Sequence, residues 1–340
     1  MIYGSLLYRD YDKNALFTPG AGENNGEFYL PYRLLKERMA QEGIELNTPD
    51  VNQGRSVAFE LHINARRQAP QSRAYTYLFE NPLIRPLNRD LEALGRYAKW
   101  FTWDAELLGQ PKAIELPYPN GLRPRPAVGF NQRPYFCSLV ASNKALAIND
   151  PRDQYQERVK IINWFERHAP DDFHLFGRGW ERPAARAGRW GRVYNQVQKL
   201  WGRVRPLKSP YTTWHGPVDD KLQVMQQSRF CLAHENCRDL EGYITEKIFD
   251  SFRAGCIPVY VGPADIARWI PANCFIDGRQ FPKPESLYAA LKQVDAAAFA
   301  TYQTHIQNFL ASPAAARFSQ ENFVEVLTTK IRDDLKATGV

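Results

Sequence analysis

The strongest constraint on this chain is the alternation of short apolar runs with longer helical patterns, carried through two halves on either side of a proline-rich stretch. In the first half, strand patterns fall at residues 2–8, 56–63, 75–79 and 99–103, with helical patterns at 30–42 and 89–97. In the second, strands at 136–141, 173–176, 230–233 and 257–261 alternate with helices at 154–168, 219–227 and 246–254, and helices at 285–294, 297–310 and 322–335 close the chain. Strands separated by helices pair in parallel, because the crossover must return the chain to the start of the sheet. The run L-P-Y-P-N-G-L-R-P-R-P at residues 116–126 cannot hold regular structure for long, since each proline removes a backbone donor and fixes φ. The expectation is an α/β chain with two Rossmann-like domains, residues 1–126 and 127–311, and a C-terminal helix at 312–340.

Charge is concentrated in one place. The 340 residues carry 44 Lys and Arg against 37 Asp and Glu, a net +7. Residues 178–208 alone hold nine cations (Arg178, Arg182, Arg186, Arg189, Arg192, Lys199, Arg203, Arg205, Lys208) and one acid, Glu181. The rest of the chain is therefore close to neutral, which argues against a protein that coats nucleic acid over its whole surface. No stretch approaches the roughly 20 apolar residues of a spanning helix, and residues 1–12 lack the pattern of a signal peptide. A cytoplasmic location is expected. The five cysteines (Cys137, Cys231, Cys237, Cys256, Cys274) form no C-x-x-C pair and mostly sit in apolar runs, so they read as reduced and buried.

Reactive side chains are densest in H-E-N-C-R-D-L-E-G-Y-I-T-E-K-I-F-D, residues 234–250. The strand at 230–233 ends at His234, a loop comes next, and Thr245 suits the N-cap of a helix whose first turn holds Glu246 and Lys247. Open α/β sheets bind ligands at the carboxyl ends of their strands, and helix N-termini favour phosphate. A lysine in the first turn opposes the helix dipole at a cost of ~0.3–1 kcal/mol, which a bound diphosphate would remove. Solvated residues at a helix start are the plainer alternative.

The run E-N-C-R-D-L-E-G-Y-I-T-E-K-I-F-D-S-F-R-A-G-C-I-P-V-Y-V-G-P, residues 235–263, closely resembles the donor-binding signature of glycosyltransferase family 10, the α-1,3/4-fucosyltransferases. W-I-P at 269–271, C-F-I-D at 274–277, E-R-V-K at 157–160 and F-G-R-G at 176–179 extend the likeness, which is strongest over residues 135–277 and most like the signal-free bacterial and viral branch. The resemblance implies a GT-B fold, in which two Rossmann-like domains face a central cleft, with residues 1–126 taking the acceptor and 127–311 the donor. It implies a GDP-β-L-fucose donor, a glycan acceptor, inversion at the anomeric carbon and no obligatory cofactor. Carried onto this sequence, Glu246 would bond ribose or fucose hydroxyls, Lys247 would lie on the diphosphate, Asn236 and Tyr243 would line the same pocket, and Arg158 would reach the phosphates. Arg178 would add positive charge nearby. The commoner pattern has one residue fewer between Asn236 and Tyr243. Two other readings stand beside it: a relative using a different GDP-sugar, and a non-catalytic protein that binds a nucleotide-sugar or carbohydrate.

Inverting transfer needs a carboxylate to take the acceptor's proton. Glu80, in Y-L-F-E-N-P at residues 77–82, sits where an apolar strand meets a loop, in a context like the family's catalytic glutamate segment. Glu60 and Glu115 are the rivals. Asp10-Tyr11-Asp12 matches a metal-chelating D-x-D but comes after the first strand of the acceptor half, so no metal site is assigned. His234 either touches substrate or packs in the core.

Within residues 189–205, Trp190, Val193, Tyr194, Val197, Leu200, Trp201 and Val204 fall on one helical stripe, with Arg189, Arg192, Lys199 and Arg203 opposite. Such a helix either lies on an anionic membrane surface or docks its stripe onto its own domain. In the first case the protein would be peripheral to the inner face of the cytoplasmic membrane and would serve lipopolysaccharide or surface polysaccharide synthesis. RNA binding fits poorly, because the aromatics are confined to one face instead of interleaving with the cations.

Overall fold

A computed structural model describes residues 1–9, 11–18, 29–204 and 208–339, with backbone alone for Arg203 and Val204. It divides into two compact units, one of Met1–Gly121, Glu241–Tyr243 and Ala316–Val340, the other of Leu122–Leu240 and Ile244–Ala315.

The first unit is built on six strands, β1 (Ile2–Leu7), β2 (Ile44–Asn47), β3 (Val57–Ile63), β4 (Arg73–Leu78), β5 (Lys99–Thr102) and β6 (Ala113–Glu115), in the order β2-β1-β3-β4-β5-β6. Every pairing is parallel, as the alternation requires. Helix α1 (Leu30–Gln41) and the C-terminal helix of the chain, Gln320–Ala337, cover one face, burying Tyr32, Leu35, Met39, Phe323, Leu327 and Ile331 against Leu6, Phe59, Leu61, Tyr75 and Tyr77. Helix α2 (Leu91–Gly95) seals part of the other face through Leu94, packed with Ala74, Leu78 and Trp100. It is shorter than the expected 89–97, because Pro86–Arg89 forms a 3-10 turn and the helix starts only after its cap, Asp90. The connections from β2 to β3 and from β3 to β4, residues 48–56 and 64–72, contain no helix. These short crossovers leave a polar cavity of about 660 Å³ on the sheet, lined by Ser5, Glu60 and His62 among others.

Strands β7 (Tyr135–Val140), β8 (Phe173–Phe176), β9 (Ser228–His234), β10 (Ile257–Val261) and β11 (Ile276–Asp277) make the second sheet, in the parallel order β11-β10-β9-β7-β8. Helices α3 (Gln154–His168), α4 (Gly188–Val204), α5 (Lys221–Gln226), α6 (Glu246–Ala254), α7 (Pro284–Lys292) and α8 (Ala296–Leu310) succeed one another in chain order. Then come α9 (Pro313–Ala316) and the C-terminal helix, α10. The core joins Leu139, Ile162, Phe165, Leu175, Phe230, Val259, Leu291 and Phe299. Because β7 lies between β8 and β9, the winding reverses there, and the carboxyl ends of β7 and β9 border the switch-point crevice where such sheets bind ligands. Arg133, 1% exposed, ties this unit together by donating to the carbonyls of Val128, Met225, Ser228, Ala254 and Gly255.

The units differ from the expected domains in two respects. The proline-rich run is shared, since Leu116, Tyr118 and Asn120 are buried in the first unit, where Asn120 pairs with Ser319, while Arg125 bonds Arg253 and Asp220 in the second. The C-terminal helix is no separate element: α10 belongs to the first unit, held to α1 by its apolar face and by Arg38–Glu325 and Arg332–Glu42 pairs at 3.2 Å each. All five cysteines are buried. The stripe of α4 does not dock onto its own unit, and its tryptophans are exposed. Arg205 lies outside the described residues, as do the side chains of Arg203 and Val204.

Candidate functional site

At the end of β9 the chain buries a full carboxylate. Glu235 is 0% exposed and accepts four hydrogen bonds. Its Oε1 takes the Thr245 N–H at 2.8 Å and the Tyr260 hydroxyl at 3.2 Å. Its Oε2 takes the Thr245 hydroxyl at 2.7 Å and the Lys247 ammonium at 3.2 Å. Thr245 does occupy the N-cap position of α6, yet its side chain makes no cap bond: its hydroxyl donates to the buried carboxylate and accepts from the Lys247 ammonium at 3.0 Å instead. Burial pulls the Lys247 pKa down, but the Glu235 and Glu246 carboxylates outweigh it and the net shift is upward. Burial pushes Glu246 up, but Lys247 and Lys221 outweigh it and hold its carboxyl at about 2. Lys221 of α5 in turn pairs with Asp250 of α6. The result is a lattice of alternating charge around the first turns of α6, with Lys247 kept cationic at the helix N-terminus.

Arg158 of α3 belongs to the same place. Its Nη2 donates to the carbonyls of His234 at 2.7 Å and Glu235 at 2.8 Å, and to Asn236 Oδ1 at 3.3 Å. The guanidinium thus shapes the loop that carries Asn236, and stands 5.0 Å over the Tyr155 ring. His234 is 4% exposed, and neither ring nitrogen has a hydrogen-bond partner among the described residues. Burial and the Arg158 charge lower its pKa to about 3, so its ring is neutral. Arg178 is exposed just after β8, with β7 lying between its strand and β9.

Glu241–Tyr243 packs as part of the first unit, where the Tyr243 hydroxyl donates to Glu80 Oε1 at 3.1 Å and its ring lies 4.7 Å from that of Trp103. Gly242, at φ +80°, allows the close approach, because a Cβ there would stand 2.2 Å from the Trp103 carbonyl oxygen. Glu80 is half-buried, and its Oε1 also accepts the Asn81 N–H at 3.0 Å and Asn81 Nδ2 at 3.1 Å. Asn64, in a left-handed conformation at φ +70°, accepts the Glu80 N–H at 2.8 Å, and Asn88 Nδ2 donates to Asn64 Oδ1 at 2.8 Å and to the Glu80 carbonyl at 2.7 Å. Asn81 and Tyr243 therefore hold the Glu80 carboxylate, and Asn64 and Asn88 its main chain, at the loop beyond β4.

The rival carboxylates are otherwise engaged. Glu60 bonds His62 Nε2 at 2.6 Å through one oxygen and the Gln71 N–H at 3.0 Å through the other, and His62 continues to the Tyr97 hydroxyl at 2.9 Å. This network pins the helix-free crossover over the cavity. Glu115 is exposed and paired with Arg317 at 2.8 Å. Asp12 is exposed, and Asp10 lies outside the described residues. Among the described residues no group of three or more His, Cys, Asp or Glu is placed to hold a metal ion.

Glu235, Lys221, Asn64 and Asn88 had no role in the sequence reading. Glu235 had a visible clue: a carboxylate directly after an apolar strand end must be paired if it is buried, and Thr245 and Lys247 lie ten and twelve residues on.

Among known proteins, a family model described as glycosyltransferase family 10 (fucosyltransferase) C-term matches residues 154–325, half of the chain. The chain is 38% identical over 82 residues to a 4-galactosyl-N-acetylglucosaminide 3-alpha-L-fucosyltransferase 9 of Mus musculus, covering 23% of each protein. It is 33% identical over 124 residues to an alpha-(1,3)-fucosyltransferase 4 of Mus musculus, covering 34% of this chain and 26% of that one. The chain thus matches about a quarter of the length of these relatives. A crystal structure of alpha1,3-fucosyltransferase with GDP-fucose aligns with a TM-score of 0.51 at 14% identity, over 96% of this chain and 89% of that one. An alpha-glucosyltransferase in complex with UDP and a DNA 13-mer aligns with a TM-score of 0.54 at 10% identity, over 97% and 99%. At such identities the likeness is one of fold, and the fold is GT-B.

Proposed function

The chain belongs to glycosyltransferase family 10, and we propose that it transfers L-fucose from GDP-β-L-fucose to a hydroxyl group of a glycan acceptor. The observation that carries this reading is the Lys247 ammonium, clamped by buried Glu235 in the first turn of α6 at the end of β9. As the glycosidic bond breaks, the departing diphosphate gains negative charge, and a fixed cation at a helix N-terminus stabilises that charge. Glu80 is the base that takes the acceptor proton, with its carboxylate oriented by Tyr243 and Asn81. Asn236 and Glu246 contact the nucleotide and sugar, and Arg158 holds the loop that presents Asn236. Charge on the leaving group falls to these side chains and not to a divalent cation.

In its finer form the proposal makes the transfer inverting and of the α-1,3 type. It places the protein in the cytoplasm, acting on a bacterial lipopolysaccharide or surface polysaccharide at the inner face of the membrane. The basic, tryptophan-bearing α4 supports that last part, since it suits an acceptor carried at a lipid surface.

The test is GDP release from a panel of GDP-sugars, with galactoside and N-acetylglucosaminide acceptors. GDP-fucose should turn over fastest, Lys247→Ala should lower kcat by roughly 10²–10³-fold, and Glu80→Gln by roughly 10²–10⁴-fold. Undiminished turnover in either variant removes that residue from the mechanism. Binding of GDP-fucose without turnover on any acceptor would replace the enzyme by a binding protein.

A further inference from the structure

Helix α4 joins the second unit by the side that amphipathic helices ordinarily turn to water. Gly188 and Gly191 are buried, and Asn195 and Gln198 half-buried. Gly191 meets the carbonyl of Arg186 so closely that a Cβ would stand 2.3 Å from its oxygen. Asn195 closes this joint, with its Oδ1 accepting the Arg186 N–H and its Nδ2 donating to the Arg186 carbonyl, both at 2.9 Å. The Arg186 guanidinium lies 4.0 Å from the centre of the Tyr194 ring.

The apolar side chains point the other way. Trp190 is 81% exposed and Trp201 62%, with Val193, Val197 and Leu200 also exposed. At about 100° per residue these five make one stripe opposite Gly191 and Asn195. Arg189, Arg192 and Lys199 are exposed along the flank of the helix that runs from the stripe round to the docked side, and Gly188–Val204 contains no acid. Scattered surface hydrophobics are ordinary, whereas five on one helix, two of them tryptophans, call for a covering surface.

Charge decides what covers it. A second copy of α4 laid on the first would set cations against cations with no acid to offset them. A bilayer with anionic headgroups offers an apolar layer for the stripe and counter-charge for the cationic flank beside it, at the depth where tryptophan settles. No helix among the described residues is long and apolar enough to cross a membrane. We propose that α4 is a lipid-docking element that lies in the plane of an anionic membrane surface, seated on the Trp190 and Trp201 side. This does not depend on which sugar the protein transfers.

The full chain is sedimented with vesicles of pure phosphatidylcholine and of equal parts phosphatidylcholine and phosphatidylglycerol, and its mass is tracked by light scattering. Wild type should pellet with the mixed vesicles and not with phosphatidylcholine alone. A variant combining Arg189→Gln, Arg192→Gln and Lys199→Gln should bind on the order of 100-fold more weakly, because each cation near an anionic leaflet contributes roughly fivefold. Trp190→Glu with Trp201→Glu should abolish pelleting while melting like wild type, since both side chains are exposed. Equal pelleting by the tryptophan variant overturns the proposal, as does wild type left in the supernatant. A dimer that the tryptophan substitutions break, without vesicle binding, would assign the stripe to a second copy of the chain.

Discussion

Replacing Glu235 with glutamine tests the charge lattice at its centre. The carboxylate accepts from a backbone N–H and a tyrosine hydroxyl through one oxygen, and from a threonine hydroxyl and an ammonium through the other. An amide can satisfy only one side. With its oxygen toward Thr245 N–H, its NH2 faces the Lys247 ammonium; turned round, the NH2 faces a backbone donor that cannot rotate away. Breaking a buried charge pair costs about 3–5 kcal/mol. Because the Lys247 side chain keeps 21% exposure, the lower figure applies, about 3 kcal/mol. For a unit of this size each kcal/mol moves Tm by about 3 °C, so calorimetry should show the transition of the second unit falling by about 9 °C. The loss arises from a stranded ammonium, so adding Lys247→Met should recover at least about 1 kcal/mol against the sum of the single changes. A shift below about 2 °C, or strict additivity in the double variant, would refute the clamp.

Other consequences are equally direct. Arg133→Lys should destabilise the second unit by about 3 kcal/mol in urea denaturation, because three ammonium protons cannot serve the five buried carbonyls that the guanidinium reaches; a loss under 1 kcal/mol would contradict its tying role. His234 is neutral when folded, with a pKa lowered to about 3, and protonates near pH 6.5 when unfolded. Its contribution is therefore present above pH 6.5 and lost as pH falls toward 3. His234→Phe should lower the slope of stability against pH between 6 and 4 by about 1.4 kcal/mol per unit, leaving the share of His174, whose pKa is lowered to about 4. An unchanged slope sinks that assignment. Turnover should survive chelation by EDTA, and activity lost to EDTA but restored by Mg²⁺ or Mn²⁺ would add a cation to the proposed chemistry.

The inner strands were legible because they are continuous apolar runs: all five residues of β10 are buried, and β9 reads F-C-L-A before its polar end. β2 and β6 escaped because they are short edge strands, of four and three residues, too brief for an apolar pattern to stand out. Lys247, Glu246, Asn236 and Arg158 were named from the family resemblance, and the structure gathers them around Glu235. What sequence did not show is which side chain holds another. The Glu235 clamp joins residues ten and twelve positions apart, and Tyr243 leaves its neighbours in the signature for the unit that carries Glu80. Periodicity located the stripe of α4 but said nothing of its direction, which is set by Gly188 packing on Asn149 and by Gly191 and Asn195 packing on Arg186.

The return of α10 to the first unit also sets an order on synthesis. Phe323, Leu327, Ile331 and Leu335 complete the core that begins with Leu6 and Tyr32, and they leave the ribosome after residues 122–315. The amino-terminal sheet emerges first and waits with one face covered by α1 alone, whereas the strands and helices of residues 122–315 pack among themselves. Domains made at the amino end generally fold first; here the core of the earlier unit cannot close until α10 has followed residues 122–315.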